Sequence, residues 1–594
     1  MRSLVDANVC VQSDWQRRQS GRSVEWPTLA HFAGEYDGRF RWSPVTHTSD
    51  STTDRLDSWK QIAAYLGRGV RTVRRWEREE GLPVHRHVHR VLGSVYAFKS
   101  EIDLWQRADR ALTAVRESPT AVADAGSRSQ SIAVLPFTNL STDPENAYFA
   151  DGLTDEITAD LSKVQALRVI SRTSSATFKG TTKDARTIAR ELGTRFLLEG
   201  SVRRADGRLR ITAQLIDAEA DTHLWAEKFD GSVEDVFAIQ ERIARVIVEA
   251  LQLRLSADED RRLAQRGIDN VHAYECYLRA RQQGWRWRKD AIDQAIQLLR
   301  NGLAVVGDSA RLHAALGVAY LQYREAGIDF GEGPLVEAEA CARRVFELEP
   351  ESAAGLQLRG WIHYSRARIQ EAVRDLKSAL ELEANDPDTL LLLSNCYLIS
   401  GRVEAARPLL DRLISVDPLT PLTRCMPAYA SLLEGDLEGA IGPYREMFEM
   451  DPGNPMARLF YVWVLLLNRR KDDAAPILES FPPEVRDTVP ARIAVFLAAA
   501  ISENGRDDQL PSITPDMEAA ASGTDVFARF LAEAYALAGR SALSIRWIEV
   551  AIERGFINHP FLARWDPFLE RVRSEPRFVA LMEVVRERWT RFES

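Results

Sequence analysis

The chain has 594 residues, 45% of them hydrophobic and 27% charged; at about 100–200 residues per domain this means several globular domains, and it excludes a chain disordered throughout. Lys and Arg total 77 against 86 Asp and Glu, a net charge of −9, so a uniformly basic nucleic-acid coat is excluded while a local basic module is not. Five cysteines (Cys10, Cys276, Cys341, Cys396 and Cys425) stand far apart without a C-x-x-C pair, which fits neither a disulfide framework nor a zinc ribbon and points to a reducing compartment.

The first thirty residues hold Asp6, Asp14, Trp15 and four arginines and lack the apolar core of a secretory signal. The richest apolar run, Leu459 to Leu467, has nine residues, enough for a buried helix and too few to span a bilayer. A cytoplasmic protein without a membrane partner is expected. Residues 1–54, rich in Ser, Thr, Arg and Gly with no sustained period, read as a disordered extension.

Residues 55–110 follow a compact pattern. Ser58 is placed to cap a first helix with Ile62, Ala63 and Leu66 on its apolar face. Gly67-Arg68-Gly69 is a short turn, and a second helix from Val70 to Glu80 is stopped by Gly81-Leu82-Pro83. At about 100° per residue, Arg75 and Arg78 fall within about 40° of Arg71, and Arg74 lies about 60° away. Val73 and Trp76 point to the opposite side, so an arginine stripe backs onto a core face, as suits a helix laid in a major groove. Residues 56–110 carry 11 Lys and Arg against 7 Asp and Glu, or +4, which leaves −13 for the remainder. Positive charge is thus gathered in one short module. Glu77, Glu79 and Glu80 also allow a plainer reading, a solvated Arg/Glu helix face.

The stretches IAAYLG…TVRRWEREEGLP and GSVYAFKSEIDLW resemble the winged helix-turn-helix of the MerR and excisionase type. That resemblance implies a wing strand at residues 93–98 and a closing helix from Glu101 to Arg107. It also implies DNA contacts from Arg68, Arg71, Thr72, Arg74, Arg75 and Arg78, with Arg86 and Lys99 reaching phosphates from the hairpin. His85, His87 and His89 alternate and would share a strand face, as metal ligands can. No Cys or fourth ligand lies nearby, so phosphate contact or wing packing is the expected use, with no metal and no cofactor.

A linker of Ala, Ser, Pro, Gly and Asp over 111–130 leads to an α/β domain at 131–255. A buried-type strand at 131–137 precedes a helix from Asn146 to Val164, a strand at 167–171 and a helix from Asp184 to Leu192. Strands Phe196–Arg204 and Leu209–Asp217 follow, joined by the hairpin signal Ala205-Asp206-Gly207-Arg208. Thr222 to Trp225 adds a short strand, and an amphipathic helix spans Val233 to Leu251. The order is βαβαββ-like. The phrases IAVLPFTNLSTDPENAYFADGLTDEI, FLLEGSVRR and RITAQLIDAEADTHLWAEKFD resemble the domain shared by the TolB amino-terminal region and FlgO-like proteins. The resemblance implies a place between an output module and repeats, and no catalytic residue. Asp151, Asp155 and Glu156 cluster at the expected helix start, where acids are ordinary partners of the helix dipole. Residues 178–183 lack the G-x-x-x-x-G-K-[ST] phosphate loop, and no G-x-S-x-G, H-E-x-x-H or kinase motif appears. No enzyme is expected.

From residue 269 to 594 the pattern is helical and periodic. Glu347-Leu348-Glu349, Glu381-Leu382-Glu383, Ser415-Val416-Asp417 and Glu449-Met450-Asp451 recur every 34 residues, as do Ala338, Ala372, Ala406, Ala440 and Ala474. Pro350, Pro418 and Pro452 share one phase. The period, small alanine and closing Pro, with Gly360, Tyr397, Gly401 and Gly435, resemble the tetratricopeptide repeat. Ala384 departs from the closing Pro, and Glu325 to Pro334 reads as an insertion that shifts the first unit, Leu312 to Tyr320, out of phase. Ala532 to Phe556 adds a helix pair, for five to seven repeats. Trp285 and Trp287, beside Arg286, Arg288 and Lys289, read as core packing ahead of a partner site.

The expectation is a multidomain protein: a small winged helix-turn-helix, an α/β domain and an all-α solenoid. It would regulate transcription by binding double-stranded DNA, hold a protein or peptide in the repeat groove, and couple the two through the middle domain. One such module buries little surface, so a homodimer or other multivalent binding is expected. The alternative is a tetratricopeptide scaffold whose amino-terminal module never binds DNA.

Overall fold

A computed structural model describes residues 55–56, 58–65, 73, 84–87, 94–99 and 130–593, apart from 142–145, 265–266, 285–287, 327, 484 and 503–509. The chain divides into two compact units, residues 1–118 and 119–594.

In the first unit, β1 (Arg55–Leu56), α1 (Trp59–Tyr65), β2 (His85–His87) and β3 (Ser94–Phe98) are described. β3 is central and antiparallel to both other strands, with His85 opposite Tyr96 and Leu56 opposite Ala97. Ser58 starts α1: its Oγ accepts from the Gln61 amide at 3.3 Å and its carbonyl from the Ile62 amide at 3.0 Å. Ile62, Ala63, Leu56, Ala97 and the helical residue Val73 form the core of the unit. The inward face of α1 is therefore the one the spacing predicts. Leu66, the turn at 67–69, the rest of the second helix and the closing helix lie outside the described residues.

The second unit opens with a mixed sheet. β4 (Ser131–Val134) lies between the parallel strands β6 (Arg168–Val169) and β7 (Phe196–Ala205), and β5 (Thr138–Asn139) pairs with β7. β8 (Arg208–Asp217) and β9 (Thr222–Ser232) continue it antiparallel. The β7–β8 turn is Asp206-Gly207, with φ of 49° and 74°, the pair of left-handed residues that a two-residue hairpin needs. β9 runs eleven residues, well past the expected Trp225. Its only fully buried side chain is Phe229, so the stretch lacks the apolar alternation that marks a strand in sequence.

Helices α2 (Ala147–Ser162) and α5 (Val236–Ala250) cover one sheet face; α3 (Arg172–Ala176) and α4 (Ala185–Leu192) border the other. α2 is buried on nearly every side because the repeats pack on its outer face. Gly152 permits that approach: a Cβ there would stand 2.5 Å from Leu278. Thr154 and Thr158 satisfy their buried hydroxyls on carbonyls four residues back, at 2.9 and 2.8 Å.

After α6 (Ala257–Ala264), the chain is helical to its end. Helix pairs run α7 (Val271–Gly284) with α8 (Lys289–Val306), α9 (Ala310–Glu325) with α10 (Gly333–Leu348), and α11 (Ala353–Ser365) with α12 (Ile369–Leu382). They continue as α13 (Pro387–Ile399) with α14 (Val403–Val416), α15 (Pro421–Leu433) with α16 (Ile441–Met450), and α17 (Pro455–Leu467) with α18 (Lys471–Glu479). The last described are α19 (Val489–Ser502), α20 (Pro515–Gly523), α21 (Asp525–Leu537), α22 (Ser541–Glu553) and α23 (Pro576–Arg591).

The periodic residues take periodic roles. Ala338, Ala372, Ala406, Ala440 and Ala474 are all at most 1% exposed, each where two helices meet. Pro350, Pro418 and Pro452 each follow a helix end by two residues. Two further sets keep the step. Ser352, Asp386, Thr420 and Asn454 are the N-caps of α11, α13, α15 and α17, and Ala367, Gly401, Gly435 and Arg469 hold the left-handed turn position. The expected insertion is the longer connection 326–332 between α9 and α10.

Two apolar cores result. One runs from Ile132 through the sheet domain to Ile362; the other begins at Ile369 and reaches Val585. Placing Leu at Ala406 forces a larger side chain between close helices, and such overpacking costs about 1–3 kcal/mol. The urea unfolding midpoint of A406L is expected to fall, while E404L, at an exposed neighbour, leaves it in place.

Candidate functional site

Arg68, Arg71, Thr72, Arg74, Arg75 and Arg78 lie outside the described residues. Val73, among them in sequence, is helical and fully buried, on the side the helical projection assigns to the core. Arg86 is on β2 opposite Val95. Lys99 follows β3, half-buried, with its ammonium 5.9 Å from the Tyr65 ring centre. His85 stacks on Tyr96 at 5.1 Å and meets Phe98 edge-on at 6.0 Å, so its ring packs within the strand pair. His89, Trp285 and Trp287 lie outside the described residues.

In the second unit, the cluster Asp151, Asp155 and Glu156 requires a correction. α2 begins at Ala147, so these acids stand in its second and third turns, beyond the reach of the helix amino terminus. Basic partners account for them instead: Lys179 lies 2.5 Å from Asp151, Arg172 pairs with Asp155, and Arg311 lies 2.6 Å from Glu156. Burial pushes the Asp155 carboxyl up to about 6, against the pull of Arg281 and Arg172. Arg311 comes from α9, so the Glu156 pair joins the sheet domain to the first repeats.

A channel of about 1580 Å³ opens between the sheet domain and the inner surface of the repeats. Lys163, Arg262, Arg281 and Arg311 line it, and so do Glu325, Asp386, Asp388 and Asp525. Burial raises all four of these acids above the usual carboxylate range; Asp388 is pushed up to about 7 by burial and then by Asp386, and Asp525 to about 6. Water in the channel reaches Asp388, and screening reduces the energetic weight of its shift. The sequence does not single these acids out, because they come from three helices far apart in the chain, α9, α13 and α21.

Residues 127–246 match the family described as HilA/YgeH-like transcriptional regulator, second domain, and residues 363–422 and 431–500 match the tetratricopeptide repeat. The chain carries a HilA/YgeH-like regulator domain and tetratricopeptide repeats. A Rhizobium meliloti (strain 1021) protein named "Putative adenylate cyclase 3" is 44% identical over 220 residues, 36% of this chain. The match spans 37% of that relative's length. Among solved structures, a thermophilic TPR protein of Thermus thermophilus is 18% identical over 32% of this chain and 97% of its own, with a TM-score of 0.28. Yeast Tom70 is 12% identical over 74% of this chain and 91% of its own, with a TM-score of 0.30. Among the described residues, no helix is long and apolar enough to cross a membrane.

The channel acids set a pH dependence with a definite sign. A carboxyl raised in the folded state holds its proton where the unfolded chain, near 3.8, has lost it, so stability rises as pH falls from about 7 to about 4. D388N is expected to raise the urea midpoint at pH 8 and to flatten its rise between pH 8 and pH 5. An unchanged slope would remove the channel acids from the account.

Proposed function

We propose that this protein is a DNA-binding transcriptional regulator whose repeats hold a protein or peptide partner. The observation that carries it is the regulator-domain match over 127–246. That domain is described as the second of its regulators, and here the basic unit, +4 over residues 56–110, precedes it. In this reading residues 55–110 are a winged helix-turn-helix of the MerR and excisionase type after an extension, 1–54, and before a linker, 111–130. Arg68, Arg71, Thr72, Arg74, Arg75 and Arg78 meet the groove and its phosphates, and Arg86 and Lys99 meet phosphates from the wing. Residues 131–255, with their likeness to the TolB amino-terminal region, connect this output to the repeats at 269–594. The site of action is the cytoplasm, and a homodimer supplies the second half-site.

The channel, about 1580 Å³ and lined by charges of both signs, is the partner's seat. No cyclase chemistry is assigned: the name of the Rhizobium meliloti relative belongs to a protein of which 37% aligns, and Asp155 and Glu156 are matched by arginines. Cyclic nucleotide formation from ATP by the purified chain would reverse that assignment.

The test is genome-wide DNA capture with the full-length protein at two salt concentrations, beside the R71A/R74A/R75A variant. Discrete paired sites are expected, with the occupancy falling steeply with salt and lost in the variant. Diffuse binding, or none, would leave a repeat scaffold as the better account.

A further inference from the structure

Two apolar cores of the second unit meet along the α11–α12 pair, where a Cβ on Gly360 would stand 2.8 Å from Leu376; the turn of this pair, residues 366–368, holds Ala367 at a left-handed φ of 58°. Residues of both bodies that these cores define line the channel, up to Tyr364 and again from Glu381 onward. Away from this pair, the sheet domain of the first body reaches the second through Leu419, which packs against the sheet domain's apolar cluster around Ile170 and Phe178, and through polar contacts. The Ser174 Oγ donates to Asp417 Oδ1 at 2.7 Å, and Ser171 Oγ donates to the same oxygen. The Leu419 amide donates to Ser174 Oγ at 2.9 Å, and the Ser171 amide to the Val416 carbonyl at 2.6 Å. Arg168 donates to the Ser415 carbonyl.

A second point of contact lies 34 residues earlier. Arg262 donates to the Leu382 carbonyl at 2.7 Å, and Leu382 is the repeat equivalent of Val416. Arg262 of α6 and Arg168 of the sheet domain thus lie on the carboxyl ends of two successive repeats, α12 and α14, where unsatisfied carbonyls and the negative pole of the helix attract cations. Only Asp417, among the four acids of its phase, receives serine hydroxyls there. It also accepts from Thr420 at 2.8 Å and from Thr423 at 2.7 Å, and Thr420 makes no side-chain cap to α15.

We propose that this contact is a latch: the sheet domain closes the repeat channel by gripping Asp417, and the later repeats swing away from the sheet domain when the grip is released. The latch deepens the reading of the channel as the partner's seat, but its test needs no partner, so the two can fail separately. A core-built interface would resist opening. This one is polar apart from the partly buried Leu419, so it exchanges its hydrogen bonds for water and opens at a modest cost.

Cys425 reports on the channel: it lines the wall and is 2% exposed. Cys276, 6% exposed on α7 in the first body, reports on general unfolding. The experiment follows iodoacetamide alkylation of each thiol by peptide mass spectrometry in the full-length protein, D417A, S171A/S174A and their combination. Losing hydrogen bonds to a charged group is expected to speed Cys425 alkylation about tenfold or more. Cys276 should stay at the unmodified protein's rate, and the combination should add little to either variant, because both remove the same contact. An unchanged Cys425 rate overturns the latch, and so does a parallel rise at Cys276. An effect of D417A that S171A/S174A lacks would also overturn it, since it would assign Asp417 to Thr420 and Thr423 alone.

Discussion

The sheet domain and the first repeats share one apolar core, and the rest of the second unit follows from that. α2 cannot satisfy both of its faces with the sheet alone, since residues from Tyr148 to Leu161 are buried around its whole circumference. It needs α7 on its outer side, and Gly152 lets the two backbones come close enough. Once α7 is fixed in direction, each later helix pair is added with the same local geometry. The course of the solenoid is then set, and it brings residues 415–419 back to the sheet domain some 240 positions away in sequence. The repeats are part of the regulator domain's fold, not a tail attached to it.

Translational repetition explains why few residue types suffice. Each unit needs a small residue where helices approach, a cap where the first helix begins, and a left-handed residue in the turn. The caps Ser352, Asp386 and Asn454 are three different side chains with one property, a short oxygen that accepts from the first amides, while Thr420 holds the same position with its hydroxyl turned to Asp417. The turn is met by glycine at 401 and 435, and by Ala367 and Arg469 where a Cβ must be accommodated. A sequence pattern defined by identity registers the glycines and overlooks the caps; one defined by chemistry registers both.

The same distinction separates what is legible in the sequence from what is not. The alanine phase, the closing prolines, the insertion after Glu325 and the Asp206-Gly207 hairpin all arise from local rules, and each takes its expected place. β9 outruns its sequence signal because a strand with one buried side chain carries little periodicity. The acids of α2 stand in its second and third turns, where basic partners account for them and the helix dipole does not. Asp417 is visible only as a member of the 34-residue phase, next to Ser415 where the other units have Glu. No local rule finds its partners Ser171 and Ser174, since the contact depends on the path of the whole solenoid. The channel acids escape for the same reason.

A regulator that senses a partner needs two states close in free energy, and the division of labour between apolar and polar contacts supplies them. Within each body, the burial of aliphatic and aromatic side chains holds the helices together far too firmly for a ligand to separate them. Between the bodies, the joining groups are mainly hydroxyls, arginines and carbonyls, each worth about 0.5–3 kcal/mol net of water, beside the partly buried side chains of Leu419 and Phe330. A closed state favoured by about 2.7 kcal/mol is open about 1% of the time, and a ligand that binds the open form with about 5.5 kcal/mol preference inverts the ratio. Micromolar binding releases about 8 kcal/mol, so a modest peptide suffices. The preference must come from contacts that the closed channel denies, and the acids and arginines that line it are the groups that can make them. A partner that carries both charges can pair with both sets.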